Sequence, residues 1–225
     1  MAMLVAAGLF FIGIHVFISS TPLRGWLIAR IGDRLYLGLF SLLSFAGIGW
    51  LIWAYMQADR VELGLPPAWL LFLAVIGAMA GLWLAVLGAL SPNPTTVDQE
   101  KLLASESPAR GIVRVTRHPF MVGLAIWALA HMVLNPDTAS LALFGTFFVL
   151  AALGPWLIDS KKAKAFTGQW KNFADATSVL PFAAILRGRN QFVSQEIGWW
   201  RPVAAVLAVT VLVAFHGLFF GAPLF

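Results

Sequence analysis

The sequence contains no cysteine. Disulfides, thiolate ligands to a haem, c-type haem attachment and cysteine nucleophiles are therefore excluded. Charge is nearly as scarce. Only 11% of residues are Asp, Glu, Lys or Arg and 60% are hydrophobic, whereas soluble domains carry about a quarter charged and half apolar residues. A chain of 225 residues with this balance reads as an all-α polytopic membrane bundle, with 1–225 forming a single integral membrane domain. Its pI of about 10.1 would point to nucleic acid in a soluble domain. Here the basic residues lie in loops between apolar runs, so no nucleic-acid partner is expected and the lipid bilayer is the partner.

Six apolar runs are present, at about 2–20, 35–57, 67–90, 119–135, 138–158 and 200–220. Each is close to the roughly 20 residues that span a hydrocarbon core. No basic segment precedes the first run and no small-x-small cleavage site follows it, so it reads as a retained span. The loops between runs alternate in charge. Loops at 21–34, 91–118 and 159–199, with Arg201 counted in the last, hold fourteen of the fifteen Lys and Arg. That alternation predicts six transmembrane helices with both termini on the non-cytoplasmic side. Within the longest loop, Val179–Leu186 is apolar but too short to cross, and reads as an interfacial or re-entrant piece. Gly77-Ala78-Met79-Ala80-Gly81 in the third run is a small-xxx-small pattern suited to close helix packing.

The chain is organised around Arg117-His118-Pro119 and the apolar helix that follows to His131. Pro119 suits the first helical position, which leaves His118 and Arg117 at the positive end of the helix dipole. No Asp, Glu, Lys or Arg falls clearly within a span, so the polar groups at membrane depth are mainly His15, His118, His131 and His216. His118 and His131 are separated by about 20 Å of helix rise, so one metal ion cannot take both from an unbroken helix. A two-histidine site must combine different helices. Each imidazole also has a plain reading as a packing residue bonded to a neighbouring helix, and His118 as a helix cap. Two buried imidazoles among aromatic and small residues suit a b-type haem, with Arg114 and Arg117 available to its propionates at the wet boundary.

Several motifs resemble the NnrU family: Gly13-Ile14-His15, Arg117-His118-Pro119 with Gly123, Trp127-Ala128-Leu129-Ala130-His131, Asp159-Ser160-Lys161-Lys162, Pro181-Phe182-Ala183-Ala184-Ile185, and Glu196-Ile197-Gly198-Trp199-Trp200-Arg201. They keep their order along essentially the whole chain. The resemblance implies a bacterial inner-membrane protein linked with denitrification and nitric oxide metabolism. The same family takes in zeta-carotene isomerase, a haem b membrane protein that isomerises a cis double bond of a polyene. By that resemblance the axial ligands of the iron fall on His15 and His131, with His118 and His216 as rivals, and the ligand is a hydrophobic polyene or a nitrogen oxide. Helix rise puts His15 and His131 on the order of 10 Å apart in depth. Span five, Thr138–Ile158, carries no histidine where the isomerase has one.

Arg-His-Pro before an apolar residue and a glycine is also similar to the S-adenosylmethionine-binding helix of membrane methyltransferases. Those enzymes carry paired acids after the next helix. Here Asp159 is followed by Lys161 and Lys162, which would repel the cofactor's cationic groups. A third reading is a non-catalytic assembly subunit. Nothing in the sequence marks an oligomeric state.

Overall fold

A computed structural model describes residues 1–221, in which the regular elements are helical and a single isolated bridge joins Glu62 and Asp137. The helices are α1 (Ala2–Gly13), α2 (Pro22–Ile31), α3 (Asp33–Met56), α4 (Ala68–Ala89), α5 (Pro119–Leu134), α6 (Thr138–Ala165), α7 (Thr167–Ala176), α8 (Ala183–Leu186), α9 (Trp200–Ala214) and α10 (His216–Phe220). A π-helical turn, Ile14–Ile18, continues α1. Short 3₁₀ turns occur at Glu100–Ala104, Gly111–Arg114 and Ser194–Glu196.

Helices α3, α4 and α6 are long and apolar enough to cross a membrane. A fourth span results if Ala2–Ile18 and Pro22–Ile31, bent by 75°, are taken together. Helices α5 and α9 are apolar but have 16 and 15 residues, a rise of about 24 and 22 Å against a core of about 30 Å. Large apolar side chains such as Leu42, Phe45, Phe72 and Leu207 stand exposed, the pattern expected of a surface solvated by lipid.

The structure differs from the sequence expectation in three places. Most of the loop expected at 21–34 is helix α2. Thr21 accepts a hydrogen bond from the Leu23 N–H and Pro22 takes the first helical position. The fifth run continues as helix to Ala165, past Lys161, Lys162 and Lys164, whose charges favour a helix C-terminus. The sixth run breaks at Phe215, so α9 ends at Ala214 and His216 opens the five-residue α10.

The chain divides into two compact units. The first comprises Met1–Val75 and Ala128–Leu157. Its core is Leu4, Ala7, Leu51, Ala54, Ala139 and Leu143. Small residues bring its helices together: Gly8 faces the Thr146 hydroxyl and Gly47 faces Phe10 and Phe11. At one end Asp137 caps α6, accepting from the N–H groups of Ala139 and Ser140 and from the Ser140 hydroxyl. Tyr55 from α3 joins this cap through Ser140. Leu63 N–H donates to the Pro136 carbonyl and Thr138 N–H to that of Val61, which fixes the 58–66 connection on the Asn135-Pro136-Asp137 turn.

The second unit comprises Ile76–Trp127 and Ile158–Phe225. Here α4 and α5 approach so closely that a Cβ on Gly123 would lie 2.4 Å from the Ala85 nitrogen, and one on Gly81 2.7 Å from the Gly123 carbonyl. Gly81 of the small-xxx-small pattern therefore serves packing. The polar segment 91–118 is folded rather than loose. Leu103, Ile112, Val113 and Val115 bury against Trp170 and Phe173 of α7. Lys162 of α6 reaches Glu100 with 2.5 Å between charged atoms.

Candidate functional site

His15 sits in the π-helical turn, which supplies its local chemistry. A π turn shifts each N–H one residue further along, so Ser19 N–H donates to the Ile14 carbonyl. The His15 carbonyl instead accepts from the hydroxyls of Ser19 and Ser20, at 2.6 and 3.1 Å. The imidazole turns back on the preceding helix and places Nδ1 2.8 Å from the Phe11 carbonyl. That bond fixes the tautomer with Nδ1–H donating, and leaves Nε2 as the nitrogen with a lone pair to offer.

The walls around this imidazole are aromatic. Phe11 lies 4.6 Å from the His15 ring and Phe40 of α3 lies 5.3 Å from it, edge-on. Phe11 in turn meets Phe147 of α6 at 6.1 Å. His131, in the last turn of α5, packs at 4.8 Å on Phe144 of the same α6. Phe144 and Phe147 are one turn apart, about 4.5 Å of rise. His15, through Phe11, and His131 thus lean on one stretch of α6, inside the first unit. Asn135 closes the end of α5 on the His131 carbonyl.

His118, Arg117 and Arg114 lie in the second unit and form a different constellation. His118 is 2% exposed and its carbonyl accepts the Val122 N–H at the start of α5. Its Nε2 is 2.7 Å from Asp159 Oδ1. Arg117 Nε lies 3.6 Å from the other oxygen of Asp159 and makes no hydrogen bond. Asn93 and Thr95 donate to the Arg117 carbonyl, and the Arg117 N–H donates to Ser178. Burial pushes the Arg117 guanidinium below its usual range, Asp159 pulls it back up and Arg189 adds to the depression.

Arg114 is committed to Glu196 by two parallel bonds of 2.7 and 2.9 Å. Gly111 N–H adds a third donor to that carboxylate. The Arg114 bond holds the Glu196 carboxyl below the usual carboxylate range and raises Arg114 itself. A cleft of about 640 Å³ opens beside this pair, lined by Ser91, Leu102, Arg110, Ile112, Glu196 and Arg201 among others, and no histidine lines it. His216 packs on Phe220 at 4.9 Å, within α10.

The sequence profile of a family described as "NnrU protein" matches residues 3–224. The chain belongs to the NnrU family. Within it, the chain is 33% identical over 130 residues to 15-cis-zeta-carotene isomerase, chloroplastic, of Arabidopsis thaliana, a match covering 57% of this chain and 33% of the relative. The isomerase of the same name from Zea mays is 36% identical over 95 residues, 42% of this chain and 25% of the relative. The chain therefore spans at most about a third of the curated relatives it matches. Both relatives are chloroplast proteins by name, whereas the sequence reading expected a bacterial inner membrane. No solved structure matches the chain.

Of the residues singled out in the NnrU sequence, His15 and His131 share the first unit, while His118, Arg117 and Arg114 share the second. Sequence reasoning missed Asp159 and Glu196 as the partners of His118 and Arg114. It also missed the π turn, although Ser19-Ser20-Thr21-Pro22 carries the hydroxyl-then-proline signature of a new helix start.

Proposed function

We propose that this NnrU-family chain is a multi-pass membrane protein that binds haem b through His15 and His131 and isomerises a cis double bond of a carotenoid-like polyene. The observation that carries the reading is the His15 imidazole, fixed by the Phe11 carbonyl with Nε2 left to ligate. The names of the two relatives supply the substrate class. His131 is the second donor, on the same aromatic stretch of α6. The bilayer is crossed by α1 with its π-helical turn and by α3, α4, α5, α6 and α9, and α2 belongs to the first basic loop. The basic loops face the cytoplasm of a bacterial cell and both termini lie on the other side.

Haem held at these imidazoles would supply, where one of the two yields its place, an iron able to draw electron density from a double bond and lower the barrier to its rotation. The chain's own contribution is orientation and dryness. The Phe11 carbonyl and the hydroxyls of Ser19 and Ser20 hold the π turn and set the direction of the His15 ring. Phe11, Phe40, Phe144 and Phe147 surround the imidazoles with apolar surface that favours a hydrocarbon and disfavours water. Asp159 is engaged by His118 and flanked by Arg117, and the positive charge of Arg117 and of the neighbouring Lys161 and Lys162 disfavours an ammonium group there, which weighs against a methyltransferase.

The test is incubation of the detergent-purified, anaerobically reduced protein with 15-cis-zeta-carotene and chromatography of the isomers. Conversion that disappears in His15→Ala supports the reading. A reduced, pigmented protein that leaves the polyene unchanged overturns isomerisation, and a pigment band that shifts with nitric oxide would then assign it to nitrogen-oxide chemistry.

A further inference from the structure

From the first unit we infer that Tyr36 and Arg24 form a carboxylate seat that receives a propionate of the bound haem, an inference that rests on the haem reading above. Tyr36 lies near the start of α3 and is 4% exposed. Its hydroxyl is buried, its polar neighbour is the Arg24 guanidinium, which can only donate, and no acceptor for its O–H stands within hydrogen-bond distance among the described residues. Buried hydroxyls are nearly always paired, so a buried O–H without an acceptor calls for one. The guanidinium of Arg24, half-buried on α2, lies 5.5 Å from the centre of the Tyr36 ring. No acid among the described residues forms an ion pair with it. An O–H donor and a cation side by side ask for an anion, and a carboxylate accepts from both.

The direction of the seat follows from a run of rings. Tyr36 stacks on Phe40, one turn further into α3, with centroids 6.0 Å apart and planes within 16°. Phe40 meets the His15 imidazole at 5.3 Å. A ligand reaching from His15 to Tyr36 thus passes aromatic surface and ends at a polar pair. That is the polarity of an iron porphyrin, whose macrocycle is apolar and whose edge carries two carboxylates. Arg114 and Arg117, expected from the sequence to meet the propionates, belong to the other unit and face Glu196 and Asp159.

The test is a pair of spectral titrations on full-length protein prepared haem-free in detergent. One uses haem b and the other its dimethyl ester, in which both carboxylates are capped. Wild-type protein is expected to bind haem b about tenfold more tightly than the ester. Tyr36→Phe and Arg24→Gln are expected each to lose about tenfold for haem b and nothing for the ester. Melting gives a second readout: Tyr36→Phe should raise the midpoint of the haem-free protein by deleting a buried O–H that has no acceptor, and lower that of the loaded protein. Equal affinity for haem and ester in the wild type, as would follow if a lipid's carboxylate held the seat, overturns the inference. So do equal losses for both ligands in the variants, which would indicate a structural role alone. In either case iron absorption bands that still depend on His15 would leave the haem reading intact. A wild-type protein that takes up neither ligand overturns both.

Discussion

His118 Nε2 lies 2.7 Å from Asp159 Oδ1, and this bond joins the first residue before α5 to the far part of α6. With Arg117 on the other oxygen of Asp159, the Arg-His-Pro motif becomes a clamp between two helices. A clamp holds the fold and is separate from the imidazoles of the first unit proposed to hold the haem. His118→Ala should therefore lower the melting midpoint in detergent, by a loss of about 2–4 kcal/mol from the deleted ring and the broken bond. The position and intensity of any haem bands per folded protein should stay unchanged. Loss of those bands at unchanged stability would assign His118 to the iron instead.

The contact between α4 and α5 offers a sharper packing test. A methyl group on Gly123 would sit 2.4 Å from the Ala85 nitrogen and 2.5 Å from the Gly81 carbonyl, and backbone cannot rotate away. Gly123→Ala should destabilise by about 1–3 kcal/mol through overpacking. Gly145→Ala, where nothing lies within 4 Å, should leave the melting midpoint unchanged or slightly higher. Equal effects at the two positions would contradict the packing described here.

The Arg114–Glu196 pair gives the stability a pH signature. The Arg114 bond is the main cause of the depressed Glu196 carboxyl, with burial opposing it and Gly111 assisting. A carboxylate depressed in the folded state stabilises above its unfolded value and loses that contribution as pH falls through the lower folded value. Glu196→Gln should therefore lower the melting midpoint at neutral pH, by no more than about 1 kcal/mol after solvent screening. The gap to wild type should close as pH falls below the ordinary glutamate value of 4.5. A gap that is constant with pH would contradict the pairing.

Much of this was readable from the sequence because it is local. Apolar runs and a proline before a helix are properties of neighbouring residues, and they place α3, α4 and α5 within two residues of expectation. What was not readable is the pairing of distant residues. Asp159 stands beside Lys161 and Lys162, which suggests a charged helix end, and nothing local says that it meets His118, 41 residues away. The π turn escaped for a different reason. Gly13-Ile14-His15-Val16-Phe17 is as apolar as the helix before it, and only the hydroxyl run Ser19-Ser20-Thr21 hints that carbonyls there need other donors. The depth difference of about 10 Å between His15 and His131 follows from ideal rise along straight spans, whereas the first run carries this turn, and His131 directly and His15 through Phe11 lean on one stretch of α6.

The central claim is that the imidazoles of His15 and His131 hold an iron porphyrin. It is tested most directly by the reduced-minus-oxidised visible spectrum of the full-length protein purified from haem-replete cells, compared with His15→Ala and His131→Ala. Sharp Soret and alpha bands in the wild type, shifted or lost in both variants while His118→Ala and His216→Ala keep them, are the expected result. A colourless wild-type preparation, or bands that survive both substitutions unchanged, would contradict it.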